Sequence, residues 1–161
     1  MSRTASYVAF VVGSVRYAVS IVHVKEVMRP LPVAAVPRGP SAVVGVADYR
    51  GELAVVLDLR QHFDVPVLAS GDVGLDPGKS RWIVLRLASL SLALVVDDVL
   101  GVVPGGAEVV RAMPAGAEGV FLRDVVAAIP HQGQLVFLLD TERFHDLGES
   151  VRQMAERRER S

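Results

Sequence analysis

Short apolar runs separated by turn residues recur along the chain, and the most regular example lies in Val43–Arg60. Two apolar runs, centred on Val46 and Val56, flank the turn Arg50-Gly51-Glu52. Runs of this length bounded by turn residues are typical of buried β-strands. We therefore predict a strand, a tight turn and a second strand, with Arg50 at the tip. Arg50 is then either a solvated turn residue or a cation fixed at the rim to meet a partner.

The same pattern predicts strands in most of the remaining chain. Gly13-Ser14 separates two such runs and suits a hairpin turn, because glycine accepts the positive φ that the turn requires. Residues 21–28 fit either a turn of helix or a bent strand, and the proline-rich residues 29–40 are predicted as an extended connector. The predicted strands are Tyr7–Val12, Val15–Ser20, Arg81–Leu87, Leu92–Val96, Val99–Val103, Val109–Arg111, Val120–Ile129 and Gln134–Leu139.

The end of the chain carries a helical pattern instead. Asp140 or Thr141 can cap its first turn, and we predict an α-helix over residues 140–158. Its apolar face consists of four residues spaced by three, four and three positions: Phe144, Leu147, Val151 and Met154.

An internal repeat organises these segments. Gly51–Asp58 aligns with Gly133–Asp140 at an offset of 82 residues, and Tyr17–Val27 shares its apolar pattern with Leu92–Val102 at an offset of 75. Such a repeat indicates two similar units of about five strands, which is the size of a small barrel. We therefore predict a single domain, residues 1–161, made of a first barrel at about 7–63, a loop or junction at 64–80, a second barrel at about 81–139 and the terminal helix.

Two aspartates, Asp58 and Asp140, close equivalent strands of this repeat. Equivalent positions usually serve the fold, and an aspartate at the end of a strand can cap the helical turn that follows. We therefore interpret both residues as caps rather than as catalytic acids.

Sequence patterns that carry catalysis or bind metal are missing. The chain has no cysteine, its four histidines form neither HxH nor HExxH, and no serine–histidine–acid arrangement stands out. Asp97-Asp98 is an acidic pair, but neighbouring residues on a strand point to opposite faces of the sheet. We therefore expect a binding module rather than an enzyme, with no cofactor and no metal.

Composition and charge narrow the class of partner. Valine accounts for 31 of the 161 residues, and its β-branched side chain favours strands. The net charge of −1 gives no basic footprint for nucleic acid or an anionic membrane. No apolar run reaches the roughly 18–20 residues of a membrane-spanning helix, and no signal peptide is recognisable. We therefore expect a cytoplasmic protein that binds no nucleic acid and does not insert into membranes.

Several stretches together carry a family resemblance. The first contains Gly13, Tyr17 and Glu26, and the second contains the motif Arg50-Gly51. The matching stretches are Phe10–Val27, Pro40–Arg60, Ala93–Val99 and Leu138–Asp140. In this combination, over roughly Tyr7–Leu147, the chain resembles the CheW-like domain, the coupling-protein fold of bacterial chemosensory systems.

The resemblance implies a mainly β fold with two five-stranded SH3-like β-barrel subdomains around a shared core, followed by a C-terminal α-helix. It also implies a non-enzymatic adaptor that couples a CheA-type histidine kinase to chemoreceptors. The implied partners are the regulatory domain of the kinase, the cytoplasmic tip of the receptor and other CheW-like proteins. The receptor tip is a helical hairpin, which would lie in a hydrophobic groove between the barrels. Such an adaptor is cytoplasmic and reaches membrane receptor arrays through its partners.

The resemblance assigns roles to individual residues. Arg50 matches the family arginine needed for receptor and kinase coupling, and Glu26 and Val27 match a partner-contact position. Arg50 is alternatively a residue that pins the barrel junction by hydrogen bonds, and Val27 is alternatively a core residue. Gly45 and Gly51 are interpreted as turn and close-packing glycines.

Departures from the family pattern surround the arginine. Asp48-Tyr49 stand where the family has Asn-Leu, and we place both in the predicted partner-binding site. We expect the Asp48 carboxylate to pair with Arg50 and mask its charge. Further departures are Val55 for a proline, Gly101 for an acid and Asp124 for a glycine. These changes favour a second hypothesis, in which a divergent structural or interaction protein acts as an array spacer or decoy in an accessory, motility or regulatory pathway without receptor coupling.

Overall fold

The computed structural model describes residues 5–36, 42–65, 80–106 and 109–159. These residues form a mainly β fold with a C-terminal helix, which confirms the predicted fold class at that level. The strands are β1 (Ser6–Val12), β2 (Val15–Ser20), β3 (Val24–Met28), β4 (Val43–Tyr49), β5 (Glu52–Asp58), β6 (Arg81–Leu87), β7 (Leu90–Val96), β8 (Asp98–Pro104), β9 (Arg111–Ala112), β10 (Val125–His131) and β11 (Gln134–Leu139). The α-helices are α1 (Leu59–His62) and α2 (Thr141–Glu159), and two 3₁₀ helices cover Ile21–His23 and Val120–Leu122.

The strands form two sheets whose membership differs from the predicted division at residues 64–80. The five-stranded sheet has the order β3-β6-β7-β5-β4 and takes every strand from residues 24–96. The six-stranded sheet has the order β8-β1-β2-β11-β10-β9, so it joins the N-terminal hairpin to strands that follow residue 97. The five-stranded unit is therefore inserted within the six-stranded one, and neither sheet corresponds to residues 7–63 or 81–139.

The internal repeat explains this arrangement. At an offset of 75, strands β1, β2 and β3 coincide with β6, β7 and β8, and at an offset of 82, β4 and β5 coincide with β10 and β11. The corresponding strands occupy the same places in the two sheets. Each sheet combines the first hairpin of one repeat with later strands of the other, through the parallel pairs β5–β7 and β2–β11. Apolar periodicity marks strands but does not specify such pairing.

The central strands are buried on both faces. In β6, Ile83 and Leu85 pack in a core shared by the two sheets, whereas Trp82 and Val84 pack in a separate core of the five-stranded sheet. The corresponding separate core of the six-stranded sheet contains Ala9, Ala18, Val103, Ile129 and Val136. Burial on both faces accounts for the nearly continuous apolar runs of the sequence.

Three connecting segments add detail to the predictions. Residues 21–28 contain both suggested structures, because a 3₁₀ turn at Ile21–His23 leads directly into β3. The strand predicted to begin at Val120 begins at Val125, after a second 3₁₀ turn. Most of the predicted loop, residues 66–79, and residues 37–40 of the connector lie outside the described residues.

Helix α2 packs its apolar face against the shared core. Phe144 and Val151 are fully buried there, and Leu147 packs against the same cluster. Gly148 permits the close approach of the helix to β7, since a Cβ at this position would lie 2.7 Å from Leu90 Cδ2.

Candidate partner-binding site

The hairpin between β4 and β5 turns through two residues with left-handed backbone. Arg50 has a φ of 50° and Gly51 a φ of 81°, a combination that matches the right-handed twist of the flanking strands. The Asp48 carboxylate accepts a hydrogen bond from Gly51 N at 2.9 Å and closes the turn. A non-glycine residue at this φ is uncommon, and side-chain contacts fix the direction in which Arg50 points.

Those contacts come from Glu26 on β3. Arg50 Nε lies 2.8 Å from Glu26 Oε1, and Arg50 Nη2 donates to Glu26 Oε2 at 3.0 Å, so the guanidinium and the carboxylate form a two-bond fork. Strands β3 and β4 are the opposite edges of the five-stranded sheet. The fork therefore joins the two edges, which requires the sheet to curl until they approach one another.

Tyr49 contacts both members of this ion pair. Its ring is only 1% exposed, and its hydroxyl donates a short hydrogen bond to Glu26 Oε1. The Arg50 guanidinium lies 5.6 Å from the centre of the ring, and the Lys25 ammonium lies 5.3 Å from it. Two cations thus face one aromatic ring, an arrangement that favours both electrostatically.

The contacts fix the charge of the site at neutral pH. Hydrogen bonds from Arg50 and Tyr49 lower the pKa of the Glu26 carboxyl to about 2. The hydrogen bond to Glu26 raises the pKa of the Arg50 guanidinium still further, and burial together with the Glu26 bond raises the pKa of the Tyr49 hydroxyl. Glu26 is therefore ionised, Tyr49 is neutral and Arg50 is permanently charged.

The expectation that Asp48 pairs with Arg50 is replaced by a different pairing. The ion pair of Arg50 in the described part of the chain is with Glu26, and the Asp48 carboxylate binds the Gly51 amide. The physical reason is local, since an aspartate that precedes a turn readily accepts a hydrogen bond from the turn backbone. The Arg50 side chain remains 67% exposed while it is paired, so its charge is held in place rather than covered.

Of the remaining predicted site residues, Val27 lies at the surface and Gly45 has a structural role. Val27 is 41% exposed beside Glu26. Gly45 is a close-packing residue, because a Cβ there would lie 2.0 Å from the Ala34 carbonyl oxygen. Ala34 pairs with Val46 through two backbone hydrogen bonds of 2.8 Å, so the connector runs directly over this part of β4.

The two aspartates of the repeat both accept hydrogen bonds at the start of a helix. Asp58 Oδ1 accepts from Arg60 N at 2.9 Å, and Asp140 Oδ1 accepts from Glu142 N at 3.0 Å. Both carboxylates thus satisfy amides that lack a partner within the first helical turn.

A second charged cluster was missed from the sequence. Asp97 is 8% exposed, and its Oδ2 accepts from Gly13 N at 2.6 Å and from Arg60 Nη1 at 2.8 Å. It therefore ties the β1–β2 turn to α1, far from it in the sequence. The acidic pair Asp97-Asp98 was the available signal, but a strand-ending aspartate does not indicate which turn it will meet.

The described residues contain no arrangement of three or more histidine, cysteine, aspartate or glutamate side chains suited to a metal ion. Among the helices in the same part of the chain, none has the length and apolar character needed to cross a membrane.

Comparison with a solved structure defines the class of fold. The crystal structure of scaffolding protein TtCheW from Thermoanaerobacter tengcongensis superposes with a TM-score of 0.72, covering 87% of this chain and 86% of that chain at 20% identity. Its two SH3-like subdomains match the two sheets described above.

The sequence comparisons identify the family. The family model of the CheW-like domain matches residues 6–148. The chain is 24% identical over 135 residues to chemotaxis protein CheW of Treponema pallidum (strain Nichols), covering 83% of this chain and 77% of the relative. It is 35% identical over 95 residues to protein FrzA of Myxococcus xanthus, covering 59% of this chain and 56% of the relative. The chain belongs to the CheW-like domain family, which confirms the resemblance found in the sequence. The family comprises scaffold and coupling proteins of chemotaxis systems rather than enzymes.

Proposed function

We propose that this protein is an adaptor that couples the regulatory domain of a CheA-type histidine kinase to the cytoplasmic tip of a chemoreceptor. It acts in the cytoplasm and reaches membrane receptors through these partners. The observation that carries the proposal is the state of Arg50, which is fixed by a two-bond fork and yet two-thirds exposed at a hairpin tip.

A fixed and exposed arginine is well suited to protein recognition. The guanidinium has five N–H donors, and Glu26 takes one from Nε and one from Nη2. The remaining donors point away from the fork and can reach an acidic or carbonyl group of a partner. Because Glu26 and the Tyr49 ring already restrict the side chain, binding loses less conformational freedom than it would with a free arginine.

The surroundings of Arg50 provide the other parts of an interface. Val27 offers an exposed apolar surface next to the fork, and Lys25 offers a second cation above Tyr49. Interfaces commonly combine an arginine or aromatic anchor with apolar contact and a polar rim. Arg50, Glu26, Val27, Tyr49 and Asp48 therefore have distinct roles in the proposal: Arg50 and Val27 contact the partner, Glu26 and Tyr49 position Arg50, and Asp48 closes the turn.

The test is a calorimetric titration of the protein into the regulatory domain of a CheA-type kinase from the same cell. We expect saturable binding that Arg50→Glu weakens by at least tenfold, which corresponds to about 1.4 kcal/mol. Glu26→Ala should weaken binding less, because it removes the positioning of Arg50 and leaves its charge.

Arg86→Glu is the matched control. Arg86 forms a comparable ion pair with Glu52 at 2.7 Å on the same sheet, but it lies outside the proposed site. Binding that is equally sensitive to both charge reversals would point to general electrostatics. Absence of binding to any such domain, with circular dichroism showing a folded protein, would favour the alternative of a divergent spacer or decoy.

A further inference from the structure

His62 forms a buried contact between the two repeats that the proposed partner site does not use. The residue ends α1 and is 7% exposed. Its Nε2 lies 3.1 Å from Asp124 Oδ2, on the segment between the second 3₁₀ helix and β10. The contact is short, but Nε2 is not aligned for a hydrogen bond and has no such partner among the described residues.

The surroundings of the imidazole are largely apolar. The Phe63 ring lies 4.9 Å from it and the Phe144 ring 5.3 Å from it, both in edge-on orientation. A charged imidazole placed here would lose most of its hydration. The contact with Asp124 offsets that loss only in part.

Two arginines near the contact disfavour a positive charge on the His62 imidazole. Arg123 Nη1 donates to the His62 carbonyl oxygen at 3.1 Å. Arg143 Nε lies 3.9 Å from Asp124 Oδ1 and 4.0 Å from Asp140 Oδ2, so Arg143 already compensates part of the acidic charge. Asp124 is thus the acid in contact with the imidazole, and both arginines lie close to this pair.

The contact holds one segment of the second repeat against the first. Residues 120–124 are attached by the Arg123 and Asp124 contacts with His62, and by a hydrogen bond of 2.7 Å from the Tyr17 hydroxyl to the Phe121 carbonyl oxygen. Phe121 and Leu122 of this segment also line an apolar cavity of about 390 Å³ on the six-stranded sheet. Movement of the segment would therefore change the shape of that cavity.

The equivalent positions of the other half lack this chemistry. At the repeat offset of 82, His62 corresponds to Phe144 and Asp124 corresponds to Ala42, and both are buried and apolar. Asp124 also keeps a left-handed φ of 61°. A titratable pair thus occupies one of two equivalent places that the fold fills elsewhere with apolar residues.

We propose that the burial of His62 makes the attachment of residues 120–124 to α1 pH-sensitive, so that this attachment weakens under mildly acidic conditions. Burial lowers the pKa of His62 below its ordinary value, and nearby Arg123 adds to this effect against the opposing influence of Asp124. As pH falls, the unfolded chain therefore takes up the proton before the folded protein does. The free energy of unfolding decreases as pH falls through the ordinary histidine pKa of about 6.5 and below it.

The first experiment compares urea denaturation at about pH 7.5 and about pH 5.5, which bracket the ordinary histidine pKa. We expect the midpoint of the wild-type protein to fall on acidification, and His62→Phe to remove most of that fall. His131→Gln is the matched control, because His131 is less buried and should leave the fall unchanged. A midpoint that rises on acidification, or a fall that His62→Phe leaves intact, would overturn the proposal.

A second measurement needs no variant. NMR titration of the His62 imidazole in the wild-type protein is combined with amide exchange at Leu122 and Arg123, whose N–H groups donate to Gly119 and Val120 carbonyls. We expect the protection factors of these amides to fall several-fold as His62 becomes protonated, before global unfolding. Protection factors that stay constant while His62 titrates would refute the proposed pH-sensitive attachment.

Discussion

The β4–β5 hairpin and the β10–β11 hairpin turn through equivalent residues of the repeat. Arg50 and Gly51 have φ values of 50° and 81°, and Gln132 and Gly133 have values of 52° and 75°. The side chains differ, since Glu26 and Arg50 of the five-stranded sheet correspond to Gly101 and Gln132 of the six-stranded sheet. Both hairpins therefore share the turn geometry, whereas the Arg50–Glu26 fork is a feature of the five-stranded sheet.

This difference shows how the two ends of a repeated fold come to present different side chains. The fork joins the edges of the five-stranded sheet and presents a cation, while Gly101 at the other end has open space where its side chain would begin. The two ends of the molecule therefore present different side chains on equivalent hairpin turns.

The largest expected loss of stability is at Asp97, which is compared with Val22, the equivalent residue of the first repeat. Asp97→Ala removes a buried acceptor from Gly13 N and Arg60 Nη1, and should lower the free energy of unfolding by about 3 kcal/mol. Equilibrium denaturation in urea measures this change. Val22 is the equivalent residue and is 79% exposed, so Val22→Ala should change stability by less than about 0.5 kcal/mol. Similar losses in the two variants would mean that the repeats are stabilised alike.

A smaller effect is expected where the connector crosses β4. Gly45→Ala forces a Cβ against the Ala34 carbonyl oxygen and should cost about 2 kcal/mol, measured in the same way. Ala127, the equivalent residue of β10, already carries a Cβ beside the two-residue strand β9. Ala127→Gly should therefore cost only about 0.5–1 kcal/mol through chain entropy. A tolerated Gly45→Ala would show that the connector can move away from the sheet.

The smallest expected effect is the contribution of the fork to acid stability. Because the pKa of Glu26 is lowered to about 2, its stabilisation is complete above the ordinary glutamate pKa of about 4.3 and is lost as pH falls toward 2. Glu26→Gln should flatten the decline of the thermal midpoint over this range. The exposed residue Glu156 provides the control, since Glu156→Gln should leave the decline unchanged. Identical acid profiles for wild type and Glu26→Gln would show that the fork does not stabilise the fold.

The sequence predicted local structure well because local rules determine it. The strand positions follow from apolar runs, as the agreement at Val15–Ser20 and Gln134–Leu139 shows. The pairing of strands was not predictable in this way, because the parallel contacts β5–β7 and β2–β11 depend on long-range packing.

The site shows the same limit. Arg50 stands out in the sequence as a cation in an apolar hairpin. Its partner Glu26 is 24 residues away and lies on the opposite edge of the sheet. Asp48, two residues away, is the more obvious partner, yet it forms a bond with the turn backbone instead. Proximity in sequence therefore suggested the wrong carboxylate, and only the curl of the sheet brings the correct one into reach.

The insertion of one sheet within the other has a consequence for synthesis on the ribosome. All strands of the five-stranded sheet have been made once residue 96 has emerged, whereas the hairpin β1–β2, which precedes them in the chain, pairs with β8 and β11. This hairpin carries Phe10 and Tyr17, both of which are buried in the finished protein. The hairpin therefore completes its sheet only after β8 and β11 have been made, and until then its apolar side chains are exposed to aggregation.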